Sequence, residues 1–154
     1  FMQRGVSACF WPGRMEEVRC EVYVDGAHNV DGVRAFLESV AADGYRGRRH
    51  LLFGVVRDKD YSAMLHRIIT SGLFDRLGIV QLNNARAVAM ESLQQVMEVY
   101  PEVKAEYYAS VQEALQDMLQ EQMSRDMQET VVRIYIAGSL YLAGEVKAIL
   151  QSRI

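Results

Sequence analysis

A chain of 154 residues fits one ordinary domain, and 50% hydrophobic with 24% charged residues is the balance of a globular protein with material for a sizeable core. The net charge of −3, with scattered basic residues, lacks the basic, aromatic-laced face that nucleic acid requires, and no apolar run approaches the ~18 residues of a membrane span. Cys9 and Cys20 form no CxxC pair and show no zinc-type spacing with histidine, so reduced thiols in a cytoplasmic protein are expected, with Cys20 inside a strand. The opening "FMQRGVSACFWPGR" starts mid-pattern, as a cut inside a longer protein would. "RMEEVR" (14–19) and "EVYVDG" (21–26) read as two tightly joined strands, the first antiparallel to the second. A helix follows from about Asp31 to Ala42, because Val33, Phe36, Leu37 and Val40 recur on one face. "RGRRH" (46–50) reads as a solvated loop. "HLLFGVV" (50–56) is a continuous apolar run, as in a strand covered on both faces.

A second helix spans about Asp60–Thr70, and "LGIVQLN" (77–83) is the next strand. The third helix, about Ala89–Val99, stops before Pro101, since the residue preceding proline disfavours helix. "AEYY" (105–108) is a short strand, and Ser110 caps a fourth helix carrying Val111, Ala114, Leu115, Met118 and Leu119. "VVRIYIAG" (131–138) and "SLYLAGEVKAIL" (139–150) are the last strand and helix. This alternation predicts an α/β fold: a three-layer, mostly parallel six-stranded sheet, Rossmann-like, as one domain over 1–154. Right-handed crossovers put every strand-to-helix turn on the carboxyl edge, where such sheets bind ligands.

Four turns therefore bear inspection. In "DGAHN", Gly26 permits close backbone approach, Asn29 or Asp31 can cap the following helix, and His28 can donate, accept or carry charge near neutrality. An anionic ligand would suit this place, but so would a capping Asp25 and a loop histidine. "GVVRDKDY" offers Asp60 as a natural N-cap, and Asp58 with Lys59 either as a solvated ion pair or as a charged contact to a nucleotide or neighbouring domain. "NNARA" (83–87) reads as a plain loop. In "AGSLYLAG", Gly138 and Ser139 open a helix directly after a buried strand, which suits either a cap or a small anion pocket. Neither GxxxxGK[ST] nor a strand-borne GxGxxG occurs. His50 and His66 have no second ligand in register, so structural roles and no metal site are expected.

Taken in order, "WPGRMEEV", "VYVDGAHNVDGV", "LLFGVVRDKDYSAML" and "IYIAGSLYLAGEV" resemble the C-terminal domain of folylpolyglutamate synthase and dihydrofolate synthase, in the Mur ligase superfamily. The resemblance implies an ATP-dependent ligase that phosphorylates a folate or pteroate carboxylate and joins L-glutamate to it. It implies that ATP and Mg2+ are held by a central domain of the same polypeptide, and that this domain closes over them. By resemblance, Arg14, Asp25 and His28 face ATP, while His28 and Ser139 face glutamate. Asp58 and Asp60 match an acidic turn of the family without an assigned role. Val30 departs from the proline common after this motif, a loss of rigidity at the helix start. An isolated chain without a phosphate loop is expected to be inactive. Two other readings stay open: a peptidoglycan amino-acid ligase domain, and a non-catalytic α/β binding module.

Overall fold

In a computed structural model, described over residues 15–124 and 132–152, strands and helices alternate along the chain. The elements are β1 (Glu16–Arg19), β2 (Val22–Val24), α1 (Val30–Ala42), β3 (Arg49–Phe53), α2 (Tyr61–Ser71), β4 (Arg76–Val80), α3 (Met90–Met97), β5 (Ala105–Tyr108), α4 (Val111–Ser124), β6 (Arg133–Ala137) and α5 (Leu140–Ser152). They build one six-stranded sheet in the order β1-β2-β6-β3-β4-β5. β1 runs antiparallel to β2, and every other pairing is parallel.

The strand order explains the layers. From β2 the chain moves through β3 and β4 to β5 in one direction, so right-handed crossovers place α1, α2 and α3 on one face. From β5 it returns to β6, and the reversal sends α4 to the other face, where α5 joins it. The core divides accordingly. Phe36, Met64, Leu65 and Leu93 pack with Leu51, Phe53 and Ile79 on one side of the sheet. Leu115, Met118, Leu142 and Val146 pack with Leu52, Ile134 and Ile136 on the other. Alternating residues of β3 and β6 thus serve opposite layers, and both strands are apolar throughout their interiors.

Helix starts follow local chemistry. Asn29 Oδ1 accepts from Gly32 N at 2.7 Å at the head of α1, and Asp60 Oδ1 accepts from Ala63 N at 3.1 Å at the head of α2. Ser110 Oγ accepts from Glu113 N at 3.1 Å before α4.

Two expectations need correction. Cys20 lies exposed in the turn between β1 and β2, where Glu21 takes φ 62°, and not within a strand. "RGRRH" is not a solvated loop throughout. Arg49 opens β3 and binds Asp43 Oδ1 at 2.8 Å, while the His50 side chain is fully buried. Strand pairing on both sides of β3 draws these residues into the sheet, and the loss of hydration at Arg49 is offset by the Asp43 carboxylate. Tyr135 Oη donates to the same carboxylate at 2.5 Å, and hydrogen bonds from Tyr135, the Tyr45 backbone N–H and Arg49 outweigh burial to hold Asp43 below the usual carboxylate range.

At the amino edge, Arg76 gathers Glu106, Asp117 and Glu121 and also donates to Tyr108 Oη at 3.0 Å. His50 lies under this cluster with Nδ1 3.8 Å from Glu121 Oε1, and neither ring nitrogen has a hydrogen bond among the described residues. Burial lowers its pKa from the ordinary 6.5, with Glu121 opposing. The unfolded chain therefore takes up this proton first as pH falls, so the pH-dependent cost of burying His50 grows below about pH 6.5 and is absent above it. The lowered carboxylates Asp43 and Asp117 withdraw their contribution only at pH values nearer their ordinary 3.8. Chemical unfolding from pH 7 down to 5 should show falling stability, and His50→Leu should flatten that slope; an unchanged slope would remove His50 as its source.

Candidate functional site

The carboxyl edge is assembled by three backbone hydrogen bonds that tie neighbouring strand ends. Asp25 N donates to Ile136 O at 2.9 Å, Gly138 N to Ala27 O at 3.0 Å, and Gly54 N to Ala137 O at 3.4 Å. The tips of β2, β6 and β3 are consequently one continuous rim. β6 lies between β2 and β3, the two strands joined by α1, so the rim is centred where chain direction changes.

Gly138 is the narrowest point. It has φ 124°, and a Cβ added there would stand 2.3 Å from Gly54 O and 3.0 Å from the Phe53 ring. Only glycine lets β6 turn into α5 while its backbone stays against the β3 tip.

The "DGAHN" turn is fastened residue by residue. Asp25 is buried, and its Oδ1 accepts from Ala27 N at 2.8 Å. Gly26 O accepts from the His28 ring at 2.9 Å, and Ala27 O accepts from Gly138. Because a carbonyl only accepts, His28 Nδ1 carries the proton in this contact. Asp25 therefore shapes its own turn, and the capping of α1 falls to Asn29. Ser139 is buried too. Its Oγ accepts from Tyr141 N at 3.0 Å, and its carbonyl accepts from Ala143 N at 3.1 Å, so it caps α5. Asp25, His28 and Ser139 thus stand on adjoining turns, while Arg14 lies outside the described residues.

The remaining turns interlock. Val56 and Ala87 form a short bridge, and Arg57 N donates to Arg86 O at 2.7 Å. Arg86 Nη2 pairs with Asp58 Oδ2 at 2.5 Å, and its Nη1 reaches Tyr141 Oη at 3.5 Å. The hydrogen bond from Arg86 holds the exposed Asp58 carboxyl below its usual range. "NNARA" is more than the plain loop expected of it, since its Arg86, together with Tyr141, carries these contacts. An arginine in a turn has no spacing signature, and only folding brings it against the turns after β3 and β6. Asp60 is committed to capping α2.

No three His, Cys, Asp or Glu side chains gather as a metal site among the described residues, and no helix among them is long and apolar enough to cross a membrane. The described residues hold no acidic cluster that fits Mg2+, and the sequence has no GxxxxGK[ST] loop to wrap a triphosphate.

Comparison with known proteins agrees with this architecture. The family model described as Mur ligase, glutamate ligase domain matches residues 13–139. The chain belongs to this family. It is 35% identical over 71 residues to the dihydrofolate synthase/folylpolyglutamate synthase of Bacillus subtilis strain 168, a match covering 45% of this chain and 16% of that protein. It is 41% identical over 63 residues to a probable bifunctional folylpolyglutamate synthase/dihydropteroate synthase of Halobacterium salinarum, covering 40% of this chain and 8% of that one. Among solved structures, E. coli FolC in complex with DHPP and ADP superposes with a TM-score of 0.80 at 20% identity, over 97% of this chain and 33% of that one. A Yersinia pestis bifunctional folylpolyglutamate synthase/dihydrofolate synthase complexed with AMPPNP and Mn ion gives 0.76 at 23% identity, over 96% and 33%. The chain of this glutamate ligase domain thus spans about a third of the length of these solved relatives.

Gly138→Ala should destabilise the domain by about 2–4 kcal/mol through backbone strain and the clash with the Gly54 carbonyl. Equilibrium urea unfolding measures it, and a loss under about 1 kcal/mol would mean that the rim can open to admit a methyl group.

Proposed function

We propose that this chain is the C-terminal, amino-acid-binding domain of an ATP-dependent cytoplasmic ligase that joins L-glutamate to folate or dihydropteroate. The reaction has two stages. ATP phosphorylates the pteroate or folate carboxylate, and the glutamate amine attacks the acyl phosphate, forming the amide C–N bond and releasing phosphate. The observation that carries the reading is the join of "DGAHN" to "GSLYL" through Gly138 N and Ala27 O, which gives a small polar ligand two adjoining turns. The family match and the names of the relatives support the same chemistry.

The match to a glutamate ligase domain supports a division of labour. ATP and Mg2+ bind chiefly to a central domain of the same polypeptide. Bound together, they supply the phosphoryl group and neutralise the charge that builds on it. This domain contributes Arg14, Asp25 and His28 on the nucleotide side of the cleft, and His28 with Ser139 on the glutamate side. Its own work is positioning, since holding amine and acyl phosphate in attack geometry is worth several kcal/mol.

Two measurements test this. The isolated chain should show no folate-dependent ATP hydrolysis, and polyglutamate formation by it alone would overturn the assignment. In the complete ligase, His28→Ala should raise the Michaelis constant for glutamate by roughly 10- to 100-fold, the equivalent of one hydrogen bond to a charged group. An unchanged constant would remove His28 from the glutamate site.

A further inference from the structure

The hydrogen bond between His28 and Gly26 says more than that the ring is held. Nδ1 lies 2.9 Å from a carbonyl oxygen two residues earlier, so the proton of the neutral ring resides on Nδ1. Nε2 then bears a lone pair, and no group among the described residues meets it. The Gly26 carbonyl is itself fixed, because the turn is closed on one side by Asp25 Oδ1 with Ala27 N and on the other by Ala27 O with Gly138 N. A backbone carbonyl in a pinned turn cannot rotate to suit the opposite tautomer. His28 is therefore built as an acceptor.

Ser139 has the contrary bias. Its Oγ already accepts from Tyr141 N, which leaves the hydroxyl proton to donate, and it does so at the electropositive start of α5. Asp25 is buried beside the β2 tip, and its Oδ1 is taken up by Ala27 N within the turn. The two turns thus present opposite polarity to whatever lies across them.

We propose that His28 recognises the ammonium group of the incoming amino acid through Nε2, with the Gly26 carbonyl as the positioning group that fixes its tautomer, so that the amino acid lies with its amine toward the β2 turn and a carboxylate toward the β6 turn. This rests on the reading of the chain as a glutamate-joining domain and adds which end of the substrate each turn reads. It places the nucleophilic nitrogen, rather than a carboxylate, against the imidazole.

The tautomer is read without catalysis. Long-range 1H–15N NMR of the isolated chain, above the imidazole titration range, should show His28 with a protonated Nδ1 and a bare Nε2. A protonated Nε2 would overturn the proposal. The complete ligase supplies the second readout. In His28→Gln the amide oxygen reaches toward the Nε2 position as an acceptor, whereas His28→Asn reproduces only the Nδ1 side. The Asn variant should have a Michaelis constant for glutamate at least ~10-fold above that of the Gln variant, with a smaller change in kcat. Equal constants, or Asn binding more tightly than Gln, would overturn it. A wild-type ligase that never joins glutamate would instead sink the functional reading and the ammonium assignment with it, leaving the measured tautomer as a property of the turn.

Discussion

The contact between Gly138 and the Gly54 carbonyl constrains everything at the carboxyl edge. β6 lies between β2 and β3, so its end must leave the sheet without a side chain while keeping hydrogen bonds to both neighbours. With φ at 124°, Gly138 does this, and the N–H it presents to Ala27 fixes the height of the "DGAHN" turn relative to α5. The cap at Ser139, the orientation of His28 and the burial of Asp25 all follow from that one junction. A bulkier residue there would disturb the alignment of two turns together, since they share the hydrogen bond.

The two halves of the molecule divide the work of stability. Near the rim, the turns are held mainly by backbone bonds and short side-chain caps, with the exposed Arg86–Asp58 pair beside them. At the amino edge, charged side chains do the holding. Arg76 ties β4 to β5 and α4, and Arg133 ties β6 to Glu21 and Asp43 while lying 4.1 Å from the Tyr45 ring centroid. Half-buried guanidinium groups with several carboxylates each are held firmly, because removing one partner strands the others in a poorly hydrated place.

Much of the fold was legible in the sequence because period and propensity agreed. The continuous apolar run of β3 and the helical spacing of Val33, Phe36 and Val40 each admitted one reading. Caps at Asp60 and Ser110 were nameable because Asp and Ser before an amphipathic run commonly cap it, whereas Asn29 stood beside Asp31 and Ser139 suited either a cap or an anion pocket. Asp25, His28 and Ser139 could be put on a common edge from topology alone. Less accessible was anything that depends on the strand order. The sequence places no limit on where β6 inserts, so the bond from Gly138 to Ala27, and the tautomer it stabilises, were invisible. Arg49 was misjudged because a basic cluster looks solvated until a turn brings its counter-charge, Asp43, back against it, whereas the structural role expected of His50 agrees with its burial. Arg86 was missed for the same reason, its partner Asp58 being 28 residues away.

The direction and position of β1 have a corollary. Because β1 is antiparallel to β2 and Glu16 pairs with Val24, the polypeptide enters the sheet at the same edge that carries Asp25 and Ser139. β1 is also the outermost strand on this side, so it covers the edge of β2 next to the rim. Without it, β2 would present a row of unpaired N–H and C=O groups there, a template on which another strand could pair.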